Sequence, residues 1–447
     1  MNQVTVEMMM QCRDDRAAAQ HELLSRYHKP VISFSMNIPG PVKTSPAVEQ
    51  AFRIGCRRII GGLYGMKAEI LEKRILYIPT GPEALICADA DACILKAMAL
   101  EIEDQDELGR LFDIDIINTD GLKAGRNASG KQERRCLICG CPAKQCASRR
   151  VHSLGELQAK VSSILDKAVS DDSANRVSVL AVKALLYEVT ATPKPGLVDR
   201  NNNGSHKDMD FFTFMGSSAV LCPYFKSAFL TGLGSASPAD SFVRLRELGK
   251  EAERQMFYET KGINTHKGAV FSLGIMCCAV GLAGYGHWGN TDEILRNCAL
   301  MTKGIMASVC KAGAGITAGQ MLYQKHRIAG IRGEAESGFP TVQNYGLKVL
   351  EKLLSDGKSW DEASANALMA IIAAAQDTNM MARSSVEKAE EEAEKAGKLI
   401  ESGFAAMSEI RKVDELYIRD NLSPGGSADL LACGLFLHFL KKEEELD

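Results

Sequence analysis

Residues 192–210 read T-P-K-P-G-L-V-D-R-N-N-N-G-S-H-K-D-M-D, and this stretch decides how the rest of the chain is read. Pro193 and Pro195 cannot donate to a helix ladder and stiffen the backbone. Gly196 and Gly204 permit turns that other residues resist. The strip is therefore non-helical, between apolar, helix-like segments at 177–189 and 211–229. It holds Lys194, Asp199, Arg200, three consecutive asparagines, His206, Lys207, Asp208 and Asp210. A connector needs few of these groups, and rigid scaffolds commonly carry their chemistry on loops. The mix of cations, carboxylates and a histidine points to a phosphorylated ligand and its metal, against the alternative of a polar surface loop.

Downstream, the texture stays helical. Segments at 241–258, 267–281, 292–312, 342–354, 360–375, 386–403 and 428–442 read as helices, and strand-like alternation is nearly absent. Upstream, 154–169 is an amphipathic helix, and Asp171-Asp-Ser-Ala reads as a polar break and a domain boundary. Before it the chain is mixed. Residues 31–38, 75–78, 84–88 and 111–117 read as strands, and 13–27, 47–63 and 90–103 as helices. The expected architecture is multidomain: an N-terminal α/β (α+β) domain over 1–170, then a mainly α-helical domain over 176–447.

The 447 residues suit two or three domains at about 100–200 residues each. A hydrophobic share of 46% and a net charge of −3 describe a globular chain without the basic excess of a nucleic-acid binder. No apolar run spans a bilayer; the strongest, 271–282, reads as a buried helix. No secretory pattern opens the chain, so a cytoplasmic location and reduced thiols are expected for its 14 cysteines.

In the first domain, Asp113 and Asp115 lie two apart on a predicted strand and so share a face, with Ile114 and Ile116 opposite. Two such carboxylates repel unless a cation sits between them. Magnesium held by carboxylates and substrate phosphates suits the pair, for phosphoryl or nucleotidyl transfer. The alternative is an edge strand with two solvated acids. In the run 134–152, Cys136, Cys139, Cys141 and Cys146 with His152 supply enough soft ligands for tetrahedral zinc. No second C-x-x-C follows, and a set of reduced thiols is the favoured reading. Arg134, Arg135, Arg149 and Arg150 suit phosphate oxygens.

In the second domain two further loops join the first. Gly262-Ile-Asn-Thr-His-Lys-Gly268 and 419–429, with Ser423-Pro-Gly-Gly-Ser427, each precede an apolar helix. Free N–H groups at helix starts favour anions, which suits Ser423, Gly425, Gly426 and Ser427 for phosphate; the plainer reading is a capped helix start. His266 and Lys267 are either a polar helix start or part of a site.

Three N-terminal motifs, 32–43 (I-S-F-S-M-N-I-P-G-P-V-K), 109–116 (G-R-L-F-D-I-D-I) and the cysteine–arginine run, resemble the apo-citrate lyase phosphoribosyl-dephospho-CoA transferase family over about the first 155 residues. That resemblance implies a nucleotidyltransferase-like domain using Asp113, Asp115, Lys43 and the arginines. It would place a phosphoribosyl-dephospho-CoA group on a serine of the citrate lyase acyl carrier subunit, releasing diphosphate. The three C-terminal loops resemble the triphosphoribosyl-dephospho-CoA synthase family over roughly 190–432. This implies condensation of ATP with 3′-dephospho-CoA and release of adenine. The product of the second domain would feed the first.

Attack on a ribose C1 needs a base and a carboxylate near the developing positive charge. His206, Asp208 and His266 are the catalytic candidates, with Asp208 and Asp429 as magnesium ligands. Lys194, Asp199, Arg200, Lys207, Asn264 and Lys267 are the substrate-binding candidates. A different reading makes the helical domain an N-glycoside hydrolase fused to a non-catalytic carrier-docking module.

Overall fold

The structure, a computed structural model, describes residues 3–124, 135–309, 318–401 and 403–446. Arg134, one of the candidate phosphate ligands, lies outside them. The chain falls into two compact units, Met1–Asp172 and Ser173–Asp447.

The first unit is built on a four-stranded antiparallel sheet in the order β2-β3-β1-β4. Its strands are β1 (Val31–Met36), β2 (Glu69–Leu76), β3 (Glu83–Asp89) and β4 (Phe112–Ile117). Helix α1 (Val6–Tyr27) sets Leu23 and Leu24 against Val31, Leu85, Cys87 and Ile117 on one face. On the other face Phe34 stacks on Phe52 of α2 (Pro46–Gly65) at 4.8 Å and meets Phe112 edge-on at 5.2 Å. Helix α3 (Ala92–Asp104), capped by Asp91, packs against β4. The sequence places the second strand at 75–78, but it runs earlier, as E-I-L-E-K-R-I-L. Half-exposed on an outer position, it carries charges that hide the alternation. After β4 come the short α4 (Ala143–Ser148) and then α5 (Leu154–Thr190).

Helix α5 corrects the expected break. Asp171-Asp-Ser-Ala does not interrupt it, because Asp171 faces solvent while Ser173 and Ala174 are buried. Polar residues on an exposed helix stripe look like a loop only when the period is ignored.

The second unit has one core and, among the described residues, no strand. Helices α6 (Phe211–Val220) and α7 (Cys222–Leu233) replace the single helix expected over 211–229, the second opening with Pro223 in its first turn. Helices α8 (Pro238–Glu259) and α9 (Lys267–Ala283) follow, then α10 (Thr291–Thr302), α11 (Ile305–Val309), α12 (Ala318–His326) and α13 (Gly330–Glu336). A π-helical turn at Val342–Gly346 leads into α14 (Leu347–Ser355). The chain continues through α15 (Trp360–Ala374), α16 (Thr378–Arg383), α17 (Val386–Glu401), α18 (Met407–Arg419) and α19 (Gly425–Leu446).

Helix α9 is buried on nearly every side, as its apolar composition demands. It approaches α7 closely: a Cβ on Gly232 would lie 1.9 Å from the Cys278 carbonyl oxygen, and one on Gly281 2.1 Å from that of Phe229. No helix among the described residues is long and apolar enough to cross a membrane.

Candidate active site

The loop at 192–210 is tied to the end of α18 and the start of α19. Asp414 accepts from the Gly196 N–H at 2.9 Å and from the Asn202 amide at 3.0 Å. The Ser205 hydroxyl donates to the Leu422 carbonyl at 2.6 Å. His206 Nε2 lies 2.9 Å from the Ser423 hydroxyl, and Arg383 Nη2 lies 3.1 Å from Nδ1. A guanidinium only donates, so Nδ1 accepts and Nε2 carries the proton given to Ser423. Burial, then the Arg383 charge, holds this imidazole below its ordinary range, against the pull of Asp208. His206, expected as a catalytic group, lines the cavity described below with its two ring nitrogens engaged by Ser423 and Arg383.

The second loop enters through His266. Its Nδ1 lies 2.8 Å from the Ser217 hydroxyl of α6, and its ring meets Phe214 edge-on at 5.0 Å. Nε2 is buried and has no hydrogen-bond partner among the described residues. Burial, aided by Lys194, pushes the ring's pKa down to about 3, so the imidazole is neutral at pH 7. Two residues on, a Cβ at Gly268 would fall 1.8 Å from Asp429 Oδ2, so the start of α9 can close on Asp429 only with glycine there.

Asp429, on the first turns of α19, is half-buried and lines the same cavity as His266. Its pKa stands well above the carboxylate range, first from burial, then from the charges of Glu188 and Asp377. Glu188 is also raised by burial, while its buried ion pair with Lys194 pulls it back.

These groups surround one cavity of about 630 Å³, a size typical of small-molecule sites. Of the sequence-predicted residues, Lys194, His206, Asp208, Asn264, His266, Lys267, Ser423, Gly425, Gly426 and Asp429 line it. Asp199, Arg200, Lys207 and Ser427 do not. Asp199 is buried and accepts from the N–H groups of Lys194, Asn201 and Asn202, shaping its own loop. Arg200 pairs with Asp361, and Lys207 is exposed. Ser427 donates to Asp377 through both its N–H (2.7 Å) and its hydroxyl (2.8 Å), and Asp377 also caps α16, so the starts of α16 and α19 are held side by side.

Sequence reading missed Glu188, Arg332 and Arg383, which also line the cavity. Glu188 had a signal, an acid inside the apolar helical run A-L-L-Y-E-V. Arg332 and Arg383 had none beyond their type. Arg332 is half-buried, its pKa lowered by burial and by Arg246.

In the first unit, Asp113 and Asp115 share a face of the outer strand β4, opposite Ser35 and Ser33 of β1, while Ile114 and Ile116 are buried behind them. Asp113 is exposed, and Asp115 pairs with Lys123 at 2.5 Å. Lys43 is half-buried, its Nζ donating to the Ile38 carbonyl at 2.5 Å, and burial lowers its pKa. Arg135, Arg149 and Arg150 are exposed on the cysteine-bearing segment, with no ion pair to the two acids among the described residues. Cys136, Cys139, Cys146 and His152 come together in that segment; Cys141 stands outside the group.

A cavity lined by basic side chains, a buried acid and helix starts in the second unit, and paired strand carboxylates in the first, suit a transferase of phosphorylated substrates. Comparison with known proteins gives the family. Residues 174–447 match the family described as ATP:dephospho-CoA triphosphoribosyl transferase, and residues 4–168 the apo-citrate lyase phosphoribosyl-dephospho-CoA transferase family. Protein CitXG of Haemophilus influenzae is 31% identical over 97% of this chain and 96% of its own length. Protein CitXG of Leuconostoc mesenteroides subsp. cremoris is 33% identical over 95% of each. The 2-(5''-triphosphoribosyl)-3'-dephosphocoenzyme-A synthase of Haemophilus ducreyi is 36% identical over 67% of this chain and 98% of its own. The chain belongs to the CitXG family, in which the two transferases are fused, and is a bifunctional enzyme of citrate lyase prosthetic-group biosynthesis.

Proposed function

We propose that the cavity between the three loops is where ATP and 3′-dephospho-CoA are joined, with Asp429 as the base. One observation carries this reading: Lys194, His266 and Asp429, far apart in sequence, surround the same cavity. The 2′-hydroxyl oxygen of dephospho-CoA attacks C1 of the ATP ribose. The bond from C1 to adenine breaks and adenine leaves with its electron pair. The hydroxyl proton passes to Asp429, the departing adenine takes a proton from solvent, and the triphosphate stays on the new ribosyl group. Burial raises the proton affinity of the Asp429 carboxyl, whereas the His266 ring, at about 3, is a weak base. His266 instead meets the ligand as a neutral partner through Nε2. Glu188 supplies negative charge near the oxocarbenium-like ring. Lys267, Arg332 and Arg383, with the free N–H groups of Gly425 and Gly426, take the phosphates.

The first unit then transfers the phosphoribosyl-dephospho-CoA group to a serine of the citrate lyase acyl carrier subunit and releases diphosphate. A nucleotidyltransferase-like fold and a cytoplasmic setting accord with this role. Asp113 and Asp115, side by side on one face of β4, fit the oxygen donors that magnesium requires, and Asp208 at the cavity of the second unit offers another. When bound, magnesium would neutralise phosphate charge. Lys43, Arg135, Arg149 and Arg150 would steady the phosphates.

The test is adenine release from ATP by the purified chain, with and without dephospho-CoA. Release should require dephospho-CoA, and Asp429→Asn should slow it by about 10²–10⁴-fold. Release without dephospho-CoA would favour the N-glycoside hydrolase reading. An unimpaired Asp429→Asn would remove Asp429 from the chemistry.

A further inference from the structure

The segment between β4 and α5 carries a cluster that neither transfer reaction uses. The Sγ atoms of Cys136, Cys139 and Cys146 and a ring nitrogen of His152 all lie within 4.8 Å of one another. We propose that these four residues bind one zinc ion, and that the ion is what holds the arginine-bearing loop in shape.

The donor set is the first argument. Three thiolates and one imidazole make a closed tetrahedral site of the kind zinc occupies structurally. Zinc–sulfur bonds of about 2.3 Å put neighbouring ligands roughly 3.8 Å apart. The Sγ atoms of Cys139 and Cys146 are already 3.4 Å apart, so binding needs only small shifts. Soft sulfur donors with one imidazole select zinc over magnesium or calcium, which take oxygen.

The local backbone is the second argument. After Cys136 the chain folds back on itself. The Gly140 N–H donates to the Cys136 carbonyl at 3.1 Å, with Gly140 at φ +72°, and the Cys136 N–H donates to the Cys141 carbonyl at 2.6 Å. This turn brings Cys136 and Cys139 to the same side. It also aims the Ile138 N–H at the Cys136 sulfur at 3.5 Å.

The third argument is what the segment lacks. From Arg135 to His152 the buried side chains are Cys136 and Cys146 alone. Its one helix, α4, has six residues. Among the described residues of this loop no apolar side chain larger than cysteine is buried, and His152 Nε2 is buried without a hydrogen-bond partner. A metal supplies what the missing core does not, because its binding energy is folding energy for the segment that wraps it. Three thiol protons leave to solvent as the sulfurs ligate. The consequence is positional: Arg135, Arg149 and Arg150 flank the ligands and take their places from the metal.

The experiment measures zinc in the full chain, purified under reducing conditions from zinc-supplemented medium. One zinc per chain is expected. Cys139→Ser and His152→Ala should lower zinc content about tenfold or more, while Cys141→Ser keeps it. Chelator-stripped wild-type chain titrated with cobalt(II) alone should develop the intense visible bands of tetrahedral thiolate coordination, as should Cys141→Ser. The wild-type titration does not depend on any variant folding. A wild-type chain that holds no zinc and gives no such bands would overturn the proposal. So would a Cys139–Cys146 disulfide found by peptide mapping, or equal metal loss in Cys141→Ser.

Discussion

His266 is buried beside Lys194, and its neutral ring is the stable form in the folded chain. Above pH 6.5 the unfolded ring is neutral too, so the group adds no pH dependence there. As pH falls from about 6.5 towards about 3, the unfolded chain takes a proton that the folded ring refuses. Stability then falls by about 1.4 kcal/mol per unit, roughly 2 kcal/mol by about pH 5. His266→Gln removes that loss. The chain's 2 tryptophans, Trp288 and Trp360, both lie in the helical unit and report its unfolding in urea. Between pH 7 and pH 5 the stability difference should move by about 2 kcal/mol in favour of the variant; an unchanged difference would mean that the folded ring titrates normally. Gly268 gives a second test. Alanine there should stabilise α9 by about 1 kcal/mol on helix propensity alone. Its Cβ would stand 1.8 Å from Asp429 Oδ2, however, and displacing the base by about 1 Å should cost up to 10²-fold in adenine release. Full activity in Gly268→Ala would contradict the role given to Asp429. His266, Gly268 and Asp429 were within reach of the sequence because they sit in polar strips between apolar helices. Arg332 and Arg383 were not, because the direction of a helical side chain is set by tertiary packing that no local period encodes.

Helix α5 shows where local reading fails at the scale of an element. Its acids at 171 and 172 are followed by buried Ser173 and Ala174, so small residues make the apolar contact that bulky ones usually signal. A hinge at this point would tolerate proline, whereas a continuous helix loses a hydrogen bond and gains a clash worth about 3 kcal/mol. Asp171→Pro should therefore lower the thermal midpoint followed by far-UV circular dichroism, and no shift would favour the hinge. The strand β4 was legible because F-D-I-D-I-I alternates, with Phe112, Ile114 and Ile116 buried on one face and Asp113 exposed on the other. The strand β2 was not, because its charges ride on both half-exposed faces of an outer strand. The cysteine-bearing segment was legible as a list of ligands but not as a cluster: the turn at Gly140 and the reach of His152 decide which sulfurs meet.

For the whole molecule, the change from mixed α and β to all-helical texture separated two kinds of fold, because periods of two and of 3.6 leave different apolar patterns. Short loop motifs carried the family resemblance, since helices supply a core that many sequences can build. What only the fold could supply is the convergence of 192–210, 262–268 and 419–429 on one cavity. Photolabelling the full chain with an azido-adenosine triphosphate, followed by peptide mapping, tests that convergence most directly. Labels should fall on peptides from those three segments and be suppressed by excess ATP. Labels confined to other parts of the helical unit, equally suppressed by ATP, would contradict the account.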